Sequence, residues 1–218
     1  MGLFDRFKNK TVTVSSYKMI TENGTGFYAW NGNLYKSDIV RAAIRPKAQA
    51  VGKIVGKHIR ETILKDGQKN IQVNPEPYIR FLLEEPNPYM TGQMLQEKLA
   101  TQLELNNNAF AYIERNDDGF PMAIYPISAG ASEAVQNGSG ELFLKFTLIN
   151  GKTVTFRYSD IIHLRKDFNS NEIFGDSPAQ ALTPLMEIVN TTDQGIVKAI
   201  KNSNVVKWRL KFTQSLRP

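Results

Sequence analysis

The chain contains no cysteine and only two histidines among its 218 residues, and both scarcities limit its chemistry. Without cysteine there is no disulfide framework, no thiolate metal site and no cysteine nucleophile. His58 and His163 fall on separate predicted elements, an arrangement that serves metal binding poorly. We therefore predict neither a metal nor a cofactor.

Long apolar runs are also missing. No segment approaches the roughly 18 apolar residues that suggest a membrane-spanning helix. The N-terminal stretch MGLFDRFKNK is charged, unlike a secretory signal. Hydrophobic residues make up 41% of the chain and charged residues 22%, which are ordinary values for a globular protein. We expect a folded protein with no membrane partner.

Acidic residues are absent from the last 25 positions, and this absence means that the net positive charge of the chain lies there. The stretch 194–218 carries six basic residues, so the formal net charge of +6 resides there. They are Lys198, Lys201, Lys207, Arg209, Lys211 and Arg217. A localised basic stretch indicates a polyanionic partner such as nucleic acid. A solvated face that pairs with acidic residues of a longer protein is the open alternative.

The first two thirds of the sequence alternates predicted helices with predicted hairpins, which is an α+β pattern. Helices are predicted over 38–57, 76–85 and 91–106, and Pro46 should kink or divide the first. Hairpins are predicted around Asn116–Gly119 and around Asn150-Gly151. The Asn-Gly pair favours a two-residue type I′ turn.

A long helix is predicted to follow. Ser177, Pro178 and Gln180 fit the N-cap, first and third positions of a capping box, so we assign them as the structural helix cap. The apolar spacing continues through residue 202, which gives a helix of about 37 Å. A strand is predicted over 205–212. Because the chain then stops at Pro218 without a closing element, we expect it to be truncated.

Three residues between positions 158 and 182, namely Asp160, His163 and Ser177, are of the types that form a hydrolase triad. Asp160 and His163 lie three apart on one predicted strand, so their side chains should point to opposite faces. The segment GDSPA around Ser177 also departs from the G-x-S-x-G pattern of a nucleophile elbow. We predict no catalytic residues, with a hydrolase or nucleic-acid-modifying enzyme that uses His163 and Ser177 as the alternative.

Several motifs, taken in their order along the chain, resemble one family. They are the opening MGLFDRF, LLEEPNP at 82–88 before a helix, NAFAY at 108–112, YSDIIHLR at 158–165, and GDSP at 175–178 before the long helix. Each is loose alone, but their order resembles the portal proteins of tailed bacteriophages, the head–tail connectors of the siphophage type. The motifs extend over the whole 218 residues.

This resemblance implies a structural subunit without enzymatic activity. Portal subunits form a ring, usually of twelve copies, at one capsid vertex, and double-stranded DNA is packaged and ejected through its channel. The implied partners are further copies of the chain, DNA bound without sequence preference, the terminase, and capsid and head–tail adaptor proteins. The implied location is the portal vertex of the virion, after assembly in the host bacterial cytoplasm.

The same resemblance divides the chain into a wing-like α+β domain over 1–176, a stem-like helix over 177–204 and the start of a clip-like region over 205–218. The candidates for contact with DNA or a partner are Lys198, Lys201, Lys207, Arg209 and Lys211. A monomeric DNA-binding accessory protein is the further alternative.

Overall fold

The computed structural model describes residues 18–19, 27–28, 37–148, 150–169, 173–203 and 211. The chain divides into two units, with the boundary between Pro178 and Ala179. The described part of the first unit holds three helices and ten strands, and that of the second holds one long helix. The opening MGLFDRF and most of the predicted strand at 205–212 lie outside the described residues. No helix among the described residues combines the length and apolarity needed to cross a membrane.

Three helices of the first unit lie close to where the sequence predicts them. They are α1 (Asp38–Gly52), α2 (Pro77–Glu84) and α3 (Gly92–Asn106). Pro46 lies inside α1 without dividing it, and the helix ends five residues before the predicted end. Thr91 caps α3 by accepting a hydrogen bond from the Met94 backbone N–H at 3.4 Å. Asn107 ends that helix in the left-handed region, with φ of 55°.

Ten strands form three antiparallel sheets. The strands are β1 (Lys18–Met19), β2 (Phe27–Tyr28), β3 (Ile59–Ile63), β4 (Lys69–Val73), β5 (Asn108–Arg115), β6 (Pro121–Ile127), β7 (Ala129–Gln136), β8 (Leu142–Leu148), β9 (Thr153–Arg157) and β10 (Ile161–Arg165). One sheet runs β1-β7-β8-β9 with β2 also paired to β7, a second runs β10-β5-β6, and β3 pairs with β4 alone. The α+β prediction is confirmed.

The central strand β5 explains how these elements pack into layers. Its residues alternate small and aromatic, and side chains alternate between the two faces of a strand. Ala109 and Ala111 join the cluster that α2 and α3 contribute to, which includes Leu95 and Leu99. Phe110 and Tyr112 point the other way, into the larger cluster shared with β7, β8 and β9. The three-stranded sheet is therefore buried between helices on one side and a second sheet on the other.

The strand β7 was not predicted from the sequence. Its segment AGASEAVQ is rich in small residues, which have weak β-propensity. It forms because it pairs with β8 along its length and with both β1 and β2 at its other edge. Ser132 and Ala134 of this strand are fully buried.

Four hairpins use the same three-residue loop. Gly67, Gly119, Gly140 and Gly151 have φ between 79° and 85°, and the N–H of each donates to the carbonyl three residues earlier. This is a type I turn closed by a left-handed glycine. The prediction of a two-residue type I′ turn at Asn150-Gly151 is wrong, because that turn needs positive φ at both residues and Asn150 does not have it.

The loop between β7 and β8 allows a matched test of this geometry. Gly140 has φ of 85°, whereas Gly138 in the same loop has an ordinary φ and open space where a side-chain methyl group would lie. We expect Gly140→Ala to lower the free energy of unfolding by about 1–2 kcal/mol, because an L side chain is strained there. Gly138→Ala should stay within about 0.5 kcal/mol of the wild type in urea denaturation. Equal effects of the two substitutions would contradict the assigned loop geometry.

Candidate functional site

Asp160, the first residue of the predicted triad, belongs to a 3₁₀ turn (Tyr158–Asp160) that precedes β10. The prediction that placed it on the strand is therefore wrong. Its Oδ1 accepts a hydrogen bond from Arg115 Nε at 2.9 Å, and this ion pair joins the turn to the end of β5. Asp160 thus has Arg115 as its partner, and its position on a different element explains why it does not orient the His163 ring.

His163 lies on β10 directly opposite Phe110 of β5. Its ring stacks on the Phe110 ring with centroids 4.5 Å apart. Nε2 lies 3.0 Å from Oδ1 of Asn108, and Nδ1 lies 3.3 Å from the Tyr158 hydroxyl. Because Asn108 Oδ1 is an acceptor, Nε2 carries the proton and Nδ1 accepts from Tyr158. Both ring nitrogens are therefore engaged in structural hydrogen bonds, and neither is left to act as a general base.

The environment of His163 keeps its ring neutral. Burial lowers the pKa of His163 from 6.5 to about 4, and the nearby positive charge of Arg165 acts in the same direction. A neutral imidazole has one N–H donor and one acceptor nitrogen, which match its contacts with Asn108 and Tyr158. Protonation would place an additional donor on Nδ1 inside a mostly buried site.

Asn108 makes the central contacts of this region. It is 1% exposed, and its Nδ2 donates to the carbonyl oxygen of Gly175 at 2.8 Å and to that of Asn106 at 3.1 Å. Its Oδ1 also accepts from the Gly175 backbone N–H at 2.8 Å. We call Asn107, Asn108, His163, Gly175 and Asp176 the Asn108 cluster.

The neighbouring residue Asn107 holds the same segment at a second point. Its Nδ2 donates to the Asp176 carbonyl oxygen at 2.7 Å and lies 3.2 Å from Oδ2 of Asp167. The Asp176 N–H in turn donates to the Asp167 carbonyl oxygen at 2.7 Å. Asn107 and Asn108, at the junction of α3 and β5, thus hold Gly175 and Asp176, the two residues that precede Ser177.

An ion network reinforces this junction. Glu104 of α3 contacts Lys166 Nζ at 2.8 Å and Lys47 Nζ of α1 at 2.6 Å. Burial alone would raise the pKa of Glu104, but hydrogen bonds and charge interactions with the two lysines lower it overall. The Lys166 backbone N–H also donates to the Asn107 carbonyl oxygen at 3.1 Å. The chain beyond β10 is therefore attached to α3 through Lys166.

Gly175 is required where the backbone passes through this cluster. A Cβ at this position would overlap the carbonyl oxygens of Asn107 and Lys166. The glycine of GDSP, the asparagine of NAFAY and the histidine of YSDIIHLR therefore meet in one place. Sequence reasoning identified His163 as structural but missed Asn108, whose only signal was a polar residue at the start of an otherwise apolar strand.

Ser177 is exposed, and the long helix α4 (Ala179–Ser203) begins two residues after it. The predicted helix start at 177 therefore agrees within the usual uncertainty of helix ends. The side chain of Gln180 lies outside the described part of the structure. The capping box formed by Ser177, Pro178 and Gln180 stays a prediction.

Helix α4 has an apolar side, and its C-terminal part carries two lysines on the opposite side. Leu185, Ile188, Ile196, Val197 and Ile200 are between 49% and 63% exposed within the described chain. At about 100° per residue, Lys198 and Lys201 lie opposite the stripe formed by Leu185 and Ile196. Both lysines are exposed, and so is Lys211, while Lys207 and Arg209 lie outside the described residues.

Comparison with known proteins gives a consistent result. A family model described as "Phage portal protein" matches residues 38–218. The portal protein of Enterobacteria phage HK97 is 31% identical over 114 residues, which is 52% of this chain and 23% of that protein.

Two solved structures share the fold. A chain in the neck of an empty gene transfer agent particle, computed with C6 symmetry, aligns with a TM-score of 0.62 and 15% identity, over 89% of this chain and 50% of that one. A chain in the neck of the native particle, computed with C12 symmetry, gives 0.61 and 16%, over 82% and 48%. The chain thus spans about half the length of these structural relatives, and its match to the HK97 protein covers about a quarter of that protein.

The buried neutral His163 predicts a pH-dependent stability. Its folded pKa is below its unfolded value, so the native state binds fewer protons between about pH 6.5 and 4. Its contribution should be fully present above pH 6.5 and be lost as the pH falls through about 4. We expect wild type to lose about 3 kcal/mol more than His163→Gln over this window in urea denaturation. Tyr158→Phe, which keeps the imidazole, should retain most of the wild-type slope. Parallel pH profiles for wild type and His163→Gln would contradict burial of a neutral ring.

The close approach at Gly175 makes a second prediction. Gly175→Ala should lower the free energy of unfolding by about 1–3 kcal/mol, because the new methyl group meets two fixed backbone carbonyls. Gly138→Ala is the control, since a methyl group there meets nothing within 4 Å. Chemical denaturation followed by circular dichroism measures both. Full stability of Gly175→Ala would show that the cluster is looser than the structure indicates.

Proposed function

Because the chain belongs to the phage portal protein family, we propose that it works as a structural portal subunit at a capsid vertex. In this role it forms part of a ring through which double-stranded DNA is packaged and later ejected. The observation that carries the proposal is the family match over 38–218, which includes α4 and all described helices and strands of the first unit except β1 and β2. The mature protein would be found at the portal vertex of the virion, after assembly in the bacterial cytoplasm.

The ring is proposed to contain twelve copies. The structural relative from the native gene transfer agent particle belongs to a neck computed with C12 symmetry, which supports this number by analogy. Cyclic assembly also suits a channel, because head-to-tail contacts form a ring when the rotation from one subunit to the next closes on itself.

By the same analogy, the α+β part over 1–176 corresponds to a wing, the helix from 177 to 204 to the first stem helix, and 205–218 to the start of a clip. The clip-like region would dock the terminase during packaging. Capsid and head–tail adaptor proteins would be the other partners.

The basic side of α4 is proposed to face DNA. Lys198 and Lys201 can contact phosphate oxygens, which carry little sequence information and therefore suit a channel that must pass every sequence. Such contacts release counterions and are weakened by salt. Lys207, Arg209 and Lys211 extend the positive charge toward the clip-like region, where they could meet DNA or an acidic partner.

An enzymatic role is not proposed. Asp160 is paired with Arg115, and both nitrogens of His163 are engaged with Asn108 and Tyr158. A hydrolase would need one of these groups within reach of a nucleophile and a substrate. The geometry favours a structural role for Asp160 and His163. For Ser177, helix capping remains the proposal.

Ring assembly is the direct test of the proposed function. Full-length protein should form rings visible in negative stain and a single large species in analytical ultracentrifugation. A protein that stays monomeric at high concentration, or that binds duplex DNA tightly as a monomer, would favour the accessory DNA-binding alternative.

The lysines of α4 can be tested separately. We expect the pair Lys198→Glu and Lys201→Glu to leave ring formation intact and to reduce DNA packaging at least tenfold, since each phosphate contact becomes repulsive. Lys98→Glu is the control, because Lys98 is also an exposed helical lysine but belongs to α3. Packaged DNA protected from nuclease is the measurement. Equal packaging by the double variant and Lys98→Glu would remove these lysines from the channel.

A further inference from the structure

The hairpin β3–β4 exposes an apolar face that the described chain leaves uncovered. All ten of its strand residues are exposed. The register pairs Ile59 with Val73, Glu61 with Ile71 and Ile63 with Lys69. Since alternate residues share a face, the four apolar side chains lie together, with exposures of 52–69%.

This exposure is costly for an element of that size. An isolated two-stranded hairpin is marginally stable in water and requires a further packing surface. The hairpin is fastened at its base, where His58 and Arg60 contact Glu76 and the Asn74 N–H donates to the His58 carbonyl oxygen at 2.6 Å. Its apolar face is therefore held in place but not buried, which is typical of an interaction surface.

The charge around the hairpin is positive. Residues 53–73 contain five basic and two acidic residues, a net charge of +3. They are Lys53, Lys57, Arg60, Lys65 and Lys69, with Glu61 and Asp66. The surface that covers the apolar face is thus expected to be acidic at its rim.

A second exposed surface on the same chain is also apolar, but the charged residues around it are mainly acidic. Tyr78, Phe81, Phe120 and Met122 are 44–65% exposed, and the rings of Tyr78 and Phe120 meet edge to face with centroids 6.0 Å apart. A cleft of about 530 Å³ lies beside Met122 and is lined partly by acidic side chains, Glu85 and Glu114.

The two segments that build this aromatic surface carry a negative charge. Residues 77–89 and 114–122 together contain five acidic and two basic residues, a net charge of −3. The acidic ones are Glu84, Glu85, Glu114, Asp117 and Asp118. The hairpin and the aromatic surface are therefore complementary both in apolar content and in sign of charge.

We propose that the apolar face of β3–β4 docks on the aromatic surface of a neighbouring copy of the chain. Both surfaces are exposed on one chain, so neither covers the other within it, and a second copy supplies each with its complement. A head-to-tail contact of this kind joins two different surfaces and closes into a ring under rotation. The inference rests on the proposed portal ring and names one of its subunit contacts.

Photocrosslinking in the assembled ring is the first test. Full-length protein with benzoylphenylalanine in place of Ile71 is mixed from isotopically light and heavy preparations, assembled and irradiated. Mixed light–heavy crosslinks to peptides within 77–89 or 114–122 are the expected result. Crosslinks confined to other segments, or to a capsid or adaptor protein, would overturn the proposal.

Substitution of the hairpin faces is the second test. Ile59→Ser with Ile71→Ser should lower the yield of rings at least tenfold. Thr62→Ser with Asn70→Ser, on the opposite face of the same strands, should leave the yield unchanged. Because all four residues are exposed, each double variant should keep the wild-type unfolding midpoint as a monomer.

A charge exchange separates this contact from assembly in general. Lys65→Glu should weaken ring formation, and adding Glu85→Lys should restore part of it. If wild type, the Ile59→Ser/Ile71→Ser variant and the Thr62→Ser/Asn70→Ser variant all form rings equally well, the docking proposal fails while the portal function stands. If wild type forms no rings at all, the portal function itself fails, and the docking proposal falls with it.

Discussion

The hydrogen bonds of Asn108 are the constraint on which the first unit depends. One buried amide satisfies both the N–H and the carbonyl of Gly175 and also accepts from His163. A polar side chain that is 1% exposed would be strongly destabilising without such partners. Here it joins the end of α3 to two segments more than 50 residues away in sequence, the strand β10 and the residues that precede α4. Removing the Asn108 amide would take this hydrogen-bond partner from the N–H and carbonyl of Gly175 and from Nε2 of His163.

The sequence predicted much of the fold because periodicity and turn residues act locally. The spacing of apolar residues gave α2, α3 and the long helix α4 to within two residues, and the Asp-Gly and Asn-Gly pairs located two of the four hairpins. Those signals require no knowledge of the rest of the chain. The strand β7 was missed because its small residues become favourable only between a strand partner and a packed layer. Likewise, the turn at Asn150-Gly151 was assigned one residue too short, since loop length depends on strand register.

The sequence favoured a structural role for the residues of the candidate site, but it did not predict which of them contact one another. His163 lies on a strand as predicted, but the argument from strand alternation relative to Asp160 fails, because Asp160 lies on a turn. The actual reason is that Asn108 and Tyr158 occupy both ring nitrogens. Asn108 is 55 residues away in sequence from His163 and 67 from Gly175, so no local pattern could join them. The pairing of distant strands brings such polar residues together, and a single sequence contains no local pattern that predicts the contact.

The proposed portal function also accounts for the distribution of charge, because a protein scaffold and a surface for DNA make different demands on charged residues. The first unit needs paired charges and satisfied polar groups, and its ion pairs, such as Lys166 with Glu104, neutralise one another. A surface that guides DNA needs the reverse: unneutralised positive charge with no specific geometry, so that the contact is weak and does not depend on sequence. In a ring, every copy would present the same lysines around one axis, and many weak contacts acting together would supply the required attraction. Under the proposed function, the excess positive charge of the last 25 residues would form a basic surface for DNA, while residues 1–193 carry no net charge.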